Sequence, residues 1–170
     1  AHTHAEHNTF NIAFKGKRLF YNSGYRPWMG APHTLAWYKH TQGHNGILVD
    51  QKGQLYDAGA YGFIPRFIRG ESLSYAVGDA SHAYQAHELS MKVRKDNTPN
   101  DMEVDLFRRH YLLLKPDIFV VYDELESRIP VYWSWLIHNY DGLKLNAENK
   151  TVETTYADRG GKVTLYGSSD

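Results

Sequence analysis

Three short segments near the start of the chain carry residue types that do chemistry. They are His2-Thr3-His4, Asn22-Ser23-Gly24-Tyr25 and His44-Asn45, and five of the ten histidines fall within the first 40 residues. Imidazole suits both metal binding and proton transfer near neutral pH. Two histidines one residue apart point to the same face of a strand, because strand side chains alternate with period two. Such a pair can serve one metal or one substrate, and His44 arrives about 40 residues later. The pattern reads as a site. It begins on the second residue of a chain that opens at Ala1 without an initiator Met, so the expectation is a piece of something longer.

The elements that must position these residues read as β throughout. Thr9 to Phe14 alternates polar and apolar, Lys15-Gly16-Lys17 reads as a tight turn, and Arg18 to Asn22 returns as a second strand. Gly46 to Asp50 is a short apolar run closed by the turn signal Gln51-Lys52-Gly53-Gln54. Arg66 to Arg69, Leu73 to Val77, Glu103 to Leu114, Val131 to His138, Thr151 to Tyr156 and Lys162 to Tyr166 read as further strands. Asp117 to Glu124, with its run Ile118-Phe119-Val120-Val121-Tyr122, is the strongest candidate for a buried strand. Asp79 to Leu89 reads as a short helix or a loop, and Asp96 to Asp101 as an exposed loop. Short strands, frequent turns and no long helical periodicity predict an all-β, two-layer antiparallel β-sandwich in one domain.

Composition narrows the function classes. Lys plus Arg is 19 and Asp plus Glu is 19, so formal net charge is zero. That balance argues against an electrostatic nucleic-acid or membrane-surface binder. No apolar run approaches the roughly 18 residues of a membrane-spanning helix. Cys is absent, which removes disulfides and thiolate metal sites. Thirteen Tyr and four Trp suit the flat faces of sugar rings, and equally suit aromatic β-structure.

His2-Thr3-His4-Ala5-Glu6-His7-Asn8-Thr9-Phe10, then Lys15-Gly16, then Asn22-Ser23-Gly24-Tyr25, resembles the heparinase II/III-like polysaccharide lyases. That family carries an H-x-H-x-D-x-x-S/T-F segment, a hairpin turn, a D-S-G segment, and T-x-A-H-N followed by an apolar strand and D-G-x-x-Q. Here the last part reads Thr41-Gln42-Gly43-His44-Asn45, Ile47 to Asp50, and Gly53-Gln54. Arg109-His110-Tyr111 to Asp123, with Trp135 to His138, is similar to the family's later strands.

The resemblance implies that residues 1–170 are the β-sandwich of a larger enzyme whose N-terminal helical toroid is absent, with truncation at both ends. It implies a bacterial periplasmic or secreted lyase that cleaves uronate polysaccharides by β-elimination, with the isolated sandwich inactive. His2 would face the substrate cleft, and Tyr25, in preference to Tyr38, is the rim tyrosine expected to join it as a catalytic residue. His4, Asn22 and His44 would hold a structural zinc. Asn22 departs from the family's Asp, and an uncharged amide oxygen binds zinc less well. Glu6 for Asp is the milder change. His138 is expected to be a satisfied sandwich histidine, while His7, His33, His40, His82, His87 and His110 have no spacing that singles them out. The plainer reading makes His2 and His4 surface residues, His44 a core histidine bonded to backbone, and Asn22 a turn residue.

Two rivals come from other classes. A non-catalytic carbohydrate-binding module accounts for the sandwich and the aromatics but not for three ordered motifs. A cupin-type metal enzyme also uses H-x-H, but wants Glu about four residues past the second His, where this chain has Asn8.

Overall fold

The structure, a computed structural model, describes residues 4–24, 28, 30–56, 59–85, 102–140, 142–156 and 158–167. His2, Tyr25 and the Asp96–Asp101 loop lie outside them. The described strands are β1 (Ile12–Phe14), β2 (Lys17–Phe20), β3 (Ile47–Val49), β4 (Phe63–Arg69), β5 (Leu73–Asp79) and β6 (Val104–Leu114). They continue with β7 (Ile118–Ser127), β8 (Trp133–Trp135), β9 (Lys144–Asn146), β10 (Thr151–Tyr156) and β11 (Arg159–Thr164). Every pairing between them is antiparallel, and the fold is all-β as the patterning predicts.

One layer is the meander β4-β5-β6-β7, and the β3-β8 pair lies over its inner face. The core between them joins Ile47 and Val49 of β3 to Val104 and Phe107 of β6, with Tyr84 and Met102 at its edge. Leu125 of β7 and Trp133 and Trp135 of β8 pack against it. Two smaller sheets, β1-β2 and β11-β10-β9, meet where Gly161 lies against the Phe20 ring. A Cβ there would sit 2.8 Å from the ring edge, so glycine permits the contact.

Local sequence explains the turns. Lys15 and Gly16 take φ of 46° and 78°, the paired left-handed conformation of a two-residue hairpin whose twist matches its strands. Asp50 and Gln51 repeat it at 48° and 65°, one residue ahead of the expected turn.

Three expectations need correction. The β7 run is an edge strand with one bare face, on which Ile118, Val120 and Tyr122 are exposed. A continuous apolar run implies cover on both faces, and here no described residue covers the outer face at Ile118, Val120 and Tyr122. The segment holding His4 is not a strand, because Asn8 at φ 56° lies in the left-handed region where an extended chain cannot continue. The last strand is displaced to Arg159–Thr164, so Leu165 and Tyr166 fall beyond it, and β9 had no clear signal.

Candidate metal centre

His4, Glu6 and His44 come together with their ligand atoms all within 4.8 Å of one another. Glu6 Oε2 stands 3.0 Å from His44 Nδ1, and Glu6 Oε1 stands 3.8 Å from His4 Nδ1. The two imidazole rings lie 5.7 Å apart between centroids. His44 is 1 % exposed, whereas Glu6 keeps one side toward solvent.

The protonation of His44 follows from its neighbours. Its Nε2 lies 2.9 Å from the carbonyl of Tyr38, and a carbonyl can only accept. Nε2 therefore carries the proton, and in the neutral ring Nδ1 presents a lone pair. That Nδ1 is buried without a hydrogen-bond partner, although Glu6 Oε2 is close. A lone pair and a carboxylate oxygen at that distance repel unless a cation lies between them. A proton or a metal ion would serve, and histidine ligands commonly give their second N–H to a backbone carbonyl in this way. Contact with His44 holds the Glu6 carboxyl below its usual pKa, against the opposing effect of burial, and the positive charges of His44, His4 and His7 add to the lowering.

Backbone clamps hold the Glu6 segment in place of a strand. Ala5 N–H donates to Lys39 O (2.9 Å), and Thr41 Oγ1 donates to Ala5 O (2.8 Å). Gln54 grips His7 twice, accepting from its N–H (2.8 Å) and donating to its carbonyl (2.7 Å). The same Thr41 hydroxyl accepts Gln54 N–H (2.8 Å), which closes the ring of contacts. With residues 5 and 7 tied by their backbone, the side chains of His4 and Glu6 are left to meet His44.

The His44 side is fixed through Asn45, which is fully buried. Its Nδ2 donates to Phe10 O (2.9 Å), and its Oδ1 accepts the backbone N–H of His138 (2.7 Å). His138 Nδ1 also lies 3.2 Å from that oxygen, so this histidine is satisfied within the sandwich, as expected. Burial lowers its pKa.

Asn22 lies beside the cluster. Its Nδ2 donates to Glu6 Oε2 (3.1 Å), and its Oδ1 accepts Asn45 N–H (3.3 Å). The described geometry thus places a carboxylate from Glu6 among the histidines, with the Asn22 amide orienting it. Glu6 stood in the first motif as a mild replacement for the family's Asp, with no ligand role assigned to it. Gln54 and Asn45 stood in the recognised motifs without an assigned task. Among the rim aromatics, Trp37 donates to Ser23 Oγ (2.5 Å), and the Tyr38 ring packs on Gly24 so closely that a Cβ would stand 2.7 Å from it.

The family model described as "Heparinase II/III-like, C-terminal" matches residues 1–168. The chain belongs to this family. Eight solved chains match this heparinase II/III-like domain in structure. One, described as "Heparinase III-BT4657 gene product", has TM-score 0.64 and 17 % identity, and the match covers 92 % of this domain. The domain spans 22 % of that protein's length, and at this identity the likeness speaks for the fold. Curated proteins return no significant match.

Proposed function

We propose that this heparinase II/III-like domain is the β-sandwich part of a polysaccharide lyase that cleaves uronic-acid-containing chains by β-elimination. The observation that carries the reading is the convergence of the first and third motifs on one half-buried cluster, in which His44 Nδ1 faces the Glu6 carboxylate beside His4.

The donor set suits a divalent ion, zinc above all, since two imidazoles and a carboxylate are ordinary zinc ligands. His4, Glu6 and His44 would hold it, with Asn22 orienting Glu6. A bound zinc would supply two positive charges that join the start of the domain to the His44 turn. Its role is structural.

β-Elimination needs three things: a group that neutralises the uronate carboxylate, a base that takes the C5 proton, and an acid that protonates the leaving glycosidic oxygen. His2, two residues before the clamped His4, is the base of this reading, and Tyr25 the rim tyrosine. The carboxylate neutraliser and the remaining acid would come from a helical domain N-terminal to the sandwich. The domain alone would then be silent, and the whole protein periplasmic or secreted. The exposed rings of Trp28, Tyr132, Tyr140 and Tyr166 favour a carbohydrate-binding module as the second reading.

Three proteins test the proposal against a panel of uronate polymers: the 170-residue domain, the full-length parent, and the parent with His2→Ala. The unsaturated uronate product absorbs in the ultraviolet, so cleavage is read directly. The expected result is activity in the parent, none in the domain, and a loss of about 10²- to 10⁴-fold with His2→Ala. An active isolated domain would overturn the division of labour. A parent that binds these polymers without cleaving them would favour the binding module.

A further inference from the structure

Arg109 lies on β6 with its side chain fully buried, a position tolerable for a charge only when its donors are answered. Asp123, its register partner on β7, takes Nε at 2.6 Å and Nη2 at 2.8 Å. The rings of Phe10 and Phe107 lie against the guanidinium, 5.6 and 5.3 Å from its carbon. Nη1 remains. It donates to two carbonyls, Asn8 O at 2.8 Å and Asn45 O at 3.1 Å.

Those carbonyls belong to the two loops that carry the metal cluster. Asn8 follows Glu6 by two residues, and Asn45 directly follows His44. A second feature shapes the same junction. Gly78, opposite Arg109 on β5, leaves the room in which Asn8 lies, and Asn8 Nδ2 donates to Gly78 O (2.9 Å). Asp123 answers Nε and Nη2 but leaves the two N–H groups of Nη1, which any nearby buried acceptor could satisfy. Arg109 sends that nitrogen to the point where both ligand loops meet the sheet.

We infer that Arg109 is a positioning residue of the metal centre, one guanidinium nitrogen setting the separation between the His4–Glu6 segment and the His44 turn. The inference rests on the reading of His4, Glu6 and His44 as ligands. Asp123 acts through Arg109 by fixing the plane of its fork. Lysine keeps the charge but has no planar fork with which to grip a carboxylate and reach two carbonyls together.

The test compares the wild-type chain with Arg109→Lys, Asp123→Asn and a control, Val104→Ala, which opens a cavity in the buried core away from the cluster. Fold is followed by circular dichroism and thermal melting. Zinc affinity is measured by competition titration, and the imidazole nitrogens of His44 by ¹⁵N NMR in metal-free protein. Arg109→Lys and Asp123→Asn are expected to fold, to lose about 10- to 100-fold in zinc affinity, and to shift or broaden the His44 signals. Val104→Ala should lower the melting temperature and leave affinity and His44 signals in place.

Wild-type zinc affinity and His44 signals in Arg109→Lys would overturn the inference, as would equal changes in Val104→Ala. Failure of both site variants to fold would also overturn it, by assigning Arg109 to the fold alone. If the wild-type chain takes up no zinc, the metal reading fails separately. The His44 signals then decide the positioning role.

Discussion

His44 Nδ1 lies 3.0 Å from Glu6 Oε2, while the opposite nitrogen of the same ring is committed to the Tyr38 carbonyl at 2.9 Å. The ring is therefore oriented from behind by the main chain and turns Nδ1 toward an anion. Two acceptors so placed need a cation between them, which a proton or a metal ion supplies.

Zinc should accordingly stabilise the chain. At a zinc concentration 100 times the dissociation constant, the gain is about 2.7 kcal/mol, or roughly 5–11 °C in melting temperature for a domain of this size. Glu6→Gln keeps the shape but removes the only carboxylate of the trio, and should abolish most of that gain. Elemental analysis of protein purified without chelator, together with melts with and without zinc, checks both. An equal gain in Glu6→Gln would exclude Glu6 as a ligand.

Restoring the family's acid at position 22 should pull in two directions. Asn22 Nδ2 now donates to Glu6 Oε2 at 3.1 Å, so Asn22→Asp would replace a hydrogen bond with two facing carboxylates. Metal-free protein should then melt lower, because like charges at close range repel. The zinc-bound form should recover the difference and gain more from zinc than the wild type, since an added anion strengthens binding of a divalent cation. Melting curves in chelator and in zinc give the two numbers. A variant that is more stable than wild type in chelator would contradict the geometry at Glu6.

Much of the sheet was legible because its signals are local. The Lys15-Gly16 hairpin, β3, β5, β6 and β10 follow from alternation and turn residues, which act over a few positions. The errors have a common physical origin in tertiary context. β7 reads as buried because five apolar or aromatic residues run together, yet whether both of its faces are covered depends on distant chain. The site shows the same division. His4 and His44 were legible as types and spacing, whereas the convergence of Glu6 depends on clamps from Lys39, Thr41 and Gln54, which no local pattern announces. Asn8 is the clearest case, since its left-handed backbone breaks the expected strand and its carbonyl is answered by a residue 101 positions away.

Asn8 and Gly78 form a pair whose coupling is measurable. A Cβ at Gly78 would overlap the side-chain oxygen of Asn8, so Gly78→Ala must displace the Asn8 side chain. Overpacking of this kind costs about 1–3 kcal/mol. Asn8→Gly removes the obstructing amide and suits the positive φ of that position, although it also loses the hydrogen bond to Gly78 O. The double variant should therefore be less destabilised than the sum of the singles by at least about 0.5 kcal/mol. Urea unfolding of the four proteins gives the coupling. Strict additivity would mean that the two residues do not touch in solution.

Alkaline pH should unfold the domain through its buried tyrosines. Burial raises the pKa of Tyr111 to about 12, against the opposing charge of Arg109, and raises that of Tyr84 as well, against a hydrogen bond from Gln54 and the charge of Arg109. The unfolded chain loses its phenol protons near pH 10, while the folded chain keeps them. Above pH 10 the unfolded state therefore binds fewer protons than the native state, and stability falls as pH rises. The Tyr111 contribution is present in full below about pH 10 and is lost as pH climbs through about 12, amounting to roughly 3 kcal/mol. Tyr111→Phe separates this effect from ordinary packing. Its hydroxyl makes a long contact to Thr9 O (3.5 Å) and a further interaction with Arg109, so the variant should lose about 1 kcal/mol at neutral pH and show a shallower alkaline decline. Tyr84→Phe differs, because the Tyr84 hydroxyl donates to Ile47 O at 2.6 Å in the core, and its removal should cost about 1–3 kcal/mol already at neutral pH. Urea midpoints for the three proteins between about pH 8 and about pH 11 measure both slopes. A wild-type midpoint that stays level across that range would show that neither phenol is held protonated by the fold.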